Sequence, residues 1–147
     1  RYNLKVFYKL SIFIMNENSK ITLKEVDDLI LKLLKLHRED IIVDEEEFLD
    51  LLKNSLSLNT SEKKRVCDAV PELSQFQFDE LKKVFLEERE KFKELALEHP
   101  DDIKKLLSKQ ETDWLSLWEI YKTEEEKKKI TNEDEQKIDD IKKNLWL

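Results

Sequence analysis

The chain contains no glycine in its 147 residues. At the average usage of ~7%, about ten glycines would be expected. Glycine is the residue that lets a backbone take a positive φ, turn a tight hairpin or approach a phosphate closely. Its absence excludes the phosphate-binding Walker loop, the dinucleotide fingerprint, the nucleophile elbow and the EF-hand loop. It also disfavours sheet-rich folds, because their hairpins depend on Asn-Gly and Asp-Gly turns.

The remaining composition favours helices. Apolar residues make up 39% of the chain and charged residues 41%, against an average charged share of about 25%. Such a chain has enough apolar residues for a core, and its remaining helix faces are heavily solvated. We therefore predict an all-α fold, a multi-helix bundle or irregular helical array of about six helices, in a single domain spanning residues 15–147.

The first fourteen residues differ from everything that follows. They carry three positive charges and no acid, and their apolar residues alternate at a strand period. The only methionine, Met15, comes directly after them. We interpret residues 1–14 as an extended N-terminal segment, or as sequence that precedes the helical domain. Lys9 interrupts their apolar run, which is too short for a membrane span and lacks the pattern of a signal peptide.

Capping signals predict where most of the helices begin. We expect helices from Thr22 to about Arg38, from Asp44, from Thr60 or Ser61 to Pro71, and from Ser74 to about Glu98. Another helix should begin at Pro100, with new starts at Thr112 or Asp113 and at Thr131. A continuous helix through Thr112 is the alternative. In the helix from Ser74 the apolar seam is interrupted by Glu88, where an apolar residue would be expected.

The charge balance and the single cysteine restrict the partners and the compartment. A net charge of −7 argues against nucleic acid and anionic membranes as main partners. The basic clusters 63–65 and 127–129 are flanked by acids, so we interpret both as solvated helix faces. Cys67 has no second cysteine to pair with, which favours a cytoplasmic location, and its apolar neighbours predict a buried structural thiol.

Two pairs of acidic residues are candidate metal ligands. Glu25 with Asp28 and Glu47 with Asp50 are each three apart on a predicted helix, so each pair shares a face and could hold Mg²⁺ through oxygen ligands. The arrangement resembles the all-α nucleotide pyrophosphatases, whose ExxE and ExxD pairs bind metal, and it implies a metal-dependent hydrolase. The first pair here is ExxD where that family has ExxE. In a chain so rich in acids, pairs of this spacing also arise on solvated faces.

The sequence carries no recognisable catalytic motif. His37 and His99, the only histidines, lie outside any HExxH or Glu-x-x-His pattern. Both fall at predicted helix boundaries, and His37 lies at the end of the first helix, where an imidazole interacts favourably with the helix dipole. No local feature supports a nucleophile pair with Cys67. We therefore predict no cofactor and lean against an enzyme.

Aromatic residues concentrate towards the C-terminus. Trp114, Trp118 and Tyr121 are spaced four and three apart, so they share one helical face, and Trp146 lies near the end of the chain. Trp and Tyr are enriched at interfaces, which makes these four a candidate protein-binding face. The same side chains also suit the core of a small domain, which is the interpretation we favour.

These observations predict a non-enzymatic helical module that presents a helix groove or an aromatic face to another protein. Two other classes stay open. One is the metal-dependent hydrolase with helix-borne carboxylates. The other is a self-associating structural protein, a homodimer formed through the N-terminal segment or through the heptad-like helix.

Overall fold

The computed structural model describes residues 21–146, except for the side chain of Trp146. It contains five α-helices in this part of the chain: α1 (Leu23–Leu34), α2 (Glu45–Lys53), α3 (Thr60–Ala69), α4 (Gln75–Glu98) and α5 (Pro100–Trp146). A short 3₁₀ turn, Val70–Glu72, follows α3. No strand occurs within residues 21–146, so the predicted all-α class is confirmed. The strand-period segment 1–14 lies outside the described residues.

The predicted caps begin three of these helices. The Thr22, Asp44 and Ser74 side chains each accept a hydrogen bond from the backbone N–H three residues further on, at 3.2, 3.1 and 3.2 Å. The start of α3 differs from the prediction by one or two residues, because Asn59 is the cap. The Asn59 side chain accepts from the Glu62 N–H, and the Glu62 carboxylate accepts from the Asn59 N–H, which completes a capping box.

The last helix is continuous where new starts were predicted. Residues 100–146 form one α-helix of 47 residues, so the starts expected at Thr112 or Asp113 and at Thr131 are wrong. The alternative of a continuous helix through Thr112 is confirmed. The Thr112 hydroxyl donates to the carbonyl of Ser108, one turn back, at 3.3 Å, as a threonine inside a helix does. Neither glycine nor a further proline follows Pro100, so no residue forces the backbone out of the helix.

The core lies where α1 meets α2, α3 and α5, and where α4 covers α2 and α5. Its buried apolar residues are Val26, Ile30, Leu34, Ile41, Phe48, Leu51, Leu52, Cys67, Val70, Phe78, Phe85, Trp114 and Leu117. The phenyl rings of Phe78 and Phe85 meet that of Phe48 edge to face, with centroids 5.1 and 5.8 Å apart. These contacts fix the first half of α4 against α2.

The second half of α5 leaves the core altogether. Every residue from 125 to 145 is exposed, and we call this segment the arm. At about 1.5 Å per residue the arm is roughly 30 Å long. We call residues 21–124, which carry the buried side chains, the body. None of the described helices is long and apolar enough to cross a membrane.

Candidate functional site

The three described aromatic residues of the predicted binding face differ in their exposure to solvent. Trp114 is fully buried in the core, and its indole Nε1 donates to Asp27 Oδ1 at 2.8 Å. Trp118 is half-buried, with Lys122 Nζ lying 4.7 Å from its ring centroid. Tyr121 is half-buried and donates its hydroxyl proton to Asp68 Oδ1 at 2.8 Å. Trp114 therefore serves the core.

Two of the four candidate aromatics remain open to another protein. The part of the predicted face that solvent reaches consists of Trp118 and Tyr121. Trp146 is the last residue of α5, and its side chain lies outside the described part of the structure. Binding at this face stays a prediction.

A polar cluster around the carbonyl of Lys53 joins four helices beneath Trp114. That carbonyl accepts from Lys63 Nζ at 2.9 Å and from the Gln110 amide. The Lys53 ammonium donates to Asp27 Oδ2 at 3.0 Å, and the other oxygen of Asp27 binds Trp114. Because these contacts link α1, α2, α3 and α5, the cluster fixes the core geometry.

Lys63 corrects one sequence interpretation. The basic cluster 63–65 was expected on a solvated face, but the Lys63 side chain is fully buried. Burial lowers its pKa to about 8. Lys64 is half-buried and pairs with Asp68 and Glu124 at 2.6 and 2.7 Å, and Arg65 is exposed. Flanking acids therefore do not indicate whether a basic residue is exposed. They give the local charge balance, but not which face of the helix a given side chain lies on.

The four candidate metal ligands do not come together. Glu25 and Asp28 are exposed on α1. On α2, Glu47 pairs with Lys82 at 3.1 Å and Asp50 with Arg89 at 3.0 Å. Between residues 21 and 146, no three His, Cys, Asp or Glu side chains form a group that could hold a metal ion.

The candidate nucleophile and the histidines have structural surroundings. Cys67 is buried, and burial raises the pKa of its thiol to about 12, so the thiol stays protonated at neutral pH. His37 lies just after α1, with Nδ1 2.8 Å from the Arg38 carbonyl and Nε2 3.1 Å from Glu45 Oε1. These contacts raise the pKa of His37, the carbonyl most strongly, and link the ends of α1 and α2. His99 is exposed between α4 and α5.

An apolar groove lies between the end of α2, the second half of α4 and the start of α5. Its volume is about 380 Å³, within the range of about 300–1,000 Å³ typical of ligand pockets. Its apolar lining consists of Leu51, Leu56, Phe85, Phe92, Ala96, Ile103 and Leu107. Asp50, Asn54, Ser55, Glu88, Arg89 and Lys93 supply its polar lining. We call this feature the α2/α4/α5 groove.

Glu88 fixes the segment between α2 and α3, which forms one wall of the groove. Its Oε1 atom accepts from the backbone N–H groups of Leu56 and Ser57 at 2.8 and 2.9 Å. The Ser55 hydroxyl lies within hydrogen-bond distance of both carboxylate oxygens, at 3.1 and 3.0 Å. This contact explains why an acid interrupts the apolar seam of α4, because that position faces backbone donors.

Sequence reasoning named the helices that form the groove but missed the groove itself. Leu56, Phe92 and Leu107 come from three separate parts of the chain, and helical periodicity shows which face is apolar but not which helix covers it. The one available signal was Glu88. A charged residue on an otherwise apolar face indicates backbone donors or a cationic partner opposite it.

Comparisons with protein-family models, curated proteins and solved structures find no significant match to this chain.

Proposed function

We propose that this protein is a non-enzymatic interaction module that binds an apolar segment of another protein in the α2/α4/α5 groove. The observation that carries the proposal is the groove itself. It is open and about 380 Å³ in volume, and apolar side chains supply most of its accessible surface. A concave, largely apolar groove of this volume is the usual form of a binding site.

The charged residues of the groove support binding over catalysis. Glu88 is engaged by the loop after α2, Asp50 pairs with Arg89 at 3.0 Å, and Lys93 pairs with Glu90 at 3.3 Å. Each of these groups therefore has a structural partner. A general acid or base needs a free proton-transfer position facing the reacting group.

The helical walls of the groove favour an amphipathic helix as the ligand. Two walls are helices, α4 and α5, and Leu107 is 45% exposed at the edge. A helix can place bulky apolar residues at positions i and i+4 into such a groove, with its polar face towards solvent. We propose a cytoplasmic partner, since the single cysteine is a buried thiol.

Selection from a displayed library of helical peptides tests this function. Peptides that bind the wild-type protein should carry Leu, Ile, Phe or Met at i and i+4, and Leu107→Asp should weaken their binding at least tenfold. A charge at this position would be buried by the ligand without a partner, which explains the loss. The matched control is Leu97→Asp, because Leu97 is 87% exposed on α4 and does not line the groove.

The same peptides distinguish the groove from the aromatic face. Trp118→Ala should leave their affinity unchanged if they bind the groove. If Trp118→Ala abolished peptide binding and Leu107→Asp did not, the peptides would bind at the aromatic face and the groove proposal would be wrong. A selection that yields no peptide with better than about millimolar affinity would contradict the interaction module.

A further inference from the structure

The arm carries a stripe of large apolar residues that its own body leaves exposed. Ile130, Ile138, Ile141 and Leu145 are 58, 53, 58 and 77% exposed. They follow one another at spacings of eight, three and four residues, so they lie on one side of the helix. Asp134 occupies the remaining position of the stripe, four residues from both Ile130 and Ile138.

A stripe of this kind has the pattern of a helix–helix seam. Most helical stability in proteins comes from packing of an amphipathic face, since a lone helix in water is marginal. The spacing of three and four residues at Ile138, Ile141 and Leu145 is that of alternating seam positions in a coiled coil. The partner that fits is therefore another helix with a similar stripe.

We propose that the arm pairs in antiparallel orientation with the arm of a second copy of this chain. With Ile138 near the centre, Ile130 of each copy lies opposite Leu145 of the other. Asp134 then lies opposite Ile141 of the second copy. This arrangement brings all four exposed apolar residues of both arms into one seam.

The charges beside the stripe select the antiparallel orientation. Glu135 and Lys142 flank the same side of the stripe, seven residues apart, so antiparallel pairing brings Glu135 of each copy to Lys142 of the other. This attractive pair forms twice. The same register sets Lys137 against Lys137 of the second copy, which is one repulsive contact. A parallel pair in register would instead place Asp134 against Asp134 once and Lys137 beside Lys142 twice, which is three repulsive contacts without the attractive Glu135–Lys142 pairs.

The geometry leaves room for both bodies. Leu145 of one arm would reach Ile130 of the other, six residues beyond Glu124, the last half-buried residue of the body. Six helical residues correspond to about 9 Å, so Leu145 of each arm lies clear of the described residues of the opposite body. Two helices in contact over some sixteen residues form a small interface, so we expect a dissociation constant of roughly 10 µM to 1 mM.

Sedimentation velocity of the full chain over a range of concentrations measures this association. We expect a monomer–dimer equilibrium that Ile138→Glu with Ile141→Glu weakens at least tenfold. The matched control is Ile42→Glu with Leu97→Glu, because both residues are 87% exposed but lie on the body. Circular dichroism of each variant checks that the helices persist. A monomer at every concentration up to roughly 1 mM, or a dimer that survives the stripe substitutions, would overturn the proposal.

Charge reversal tests the orientation within the same measurement. Glu135→Lys alone and Lys142→Glu alone should each weaken the dimer several-fold, because each turns both attractive pairs into repulsive ones. The double variant should recover the wild-type affinity, since the pairs are then restored with opposite polarity. Failure to recover would overturn the antiparallel arrangement. The α2/α4/α5 groove takes no part in this contact. Pairing of the arms can therefore be disproved without affecting the proposed binding of peptides in the groove, and the reverse.

Discussion

Lys63 is a basic residue whose side chain lies in the core, where a charged group is poorly solvated. Its ammonium is fully buried, donates to the Lys53 carbonyl at 2.9 Å and lies 5.8 Å from the Trp114 ring. Burial lowers its pKa from 10.5 to about 8, although Asp113 and Glu88 favour the charged form. Desolvation thus outweighs the attraction of these two acids. We infer that Lys63 reduces stability at neutral pH in exchange for a defined arrangement of α2, α3 and α5.

Replacing Lys63 by methionine should raise the free energy of unfolding at pH 7 by about 1–2 kcal/mol. The Lys53 carbonyl would keep its bond from Gln110, so no buried acceptor is left without a donor. The advantage should shrink between about pH 8 and pH 10.5, because there the unfolded wild-type chain binds the Lys63 proton more tightly than the folded one. Wild-type stability therefore rises with pH relative to the variant.

Urea unfolding at several pH values measures this difference. The control is Arg65→Met, since Arg65 is exposed on the same helix, and its effect should stay within about 0.5 kcal/mol at each pH. A methionine variant that is less stable than wild type at pH 7 would show that Lys63 is a net contributor to stability.

At the scale of elements, one carboxylate determines the path of the chain after α2. Glu88 of α4 accepts from Leu56 N–H, Ser57 N–H and the Ser55 hydroxyl. No regular secondary structure satisfies these donors. Since a backbone donor that loses its partner on partial burial costs free energy, α4 and this loop are coupled.

Glu88→Leu should destabilise the protein by about 2 kcal/mol, because the half-buried Leu56 N–H and the buried Ser55 hydroxyl lose their acceptor. Glu88→Gln keeps one carbonyl acceptor and should cost roughly half as much. Thermal and urea unfolding measure both, with Glu87→Leu, exposed one residue earlier on α4, as the control. If the Glu88→Leu and Glu87→Leu variants proved equally stable, the hydrogen bonds of Glu88 would make no net contribution to the free energy of unfolding.

The elements also show what the sequence could predict. Caps at Thr22, Asp44 and Ser74 were predicted because a capping side chain acts within three residues of itself. The new starts predicted inside α5 were wrong, because Thr112 and Thr131 are compatible with a cap and with a helix interior alike. The groove was missed for another reason, since Leu56, Phe92 and Leu107 meet only through tertiary packing.

At the scale of the molecule, α5 runs from the body, which contains the core, into the exposed arm. The body contains the core residues, whereas every residue from 125 to 145 is exposed. Burial of apolar area is the main source of folding free energy. The arm therefore contributes little to the stability of the monomer, and its stripe is available to a second copy.

A chain shortened to end at Glu126 should keep its melting temperature within about 2 °C at micromolar concentration, because residues 127–145 are all exposed. Its helical circular-dichroism signal should fall in proportion to the residues removed. Differential scanning calorimetry and circular dichroism test both statements. A large fall in melting temperature would mean that the arm contacts the body.

Composition predicted the helical class, and the backbone shows a consequence of the missing glycine. Within residues 21–146 no residue has a positive φ, so every turn is made from conformations that any ordinary L-residue can adopt. Its loops therefore impose no steric demand for glycine, and their sequences are constrained instead by capping side chains such as Asp44, Asn59 and Ser74. A chain without glycine also has fewer conformations to lose when it folds. Selection on this protein should act mainly on its buried side chains, its helix caps and its interaction surfaces, and only weakly on the remaining positions of its turns.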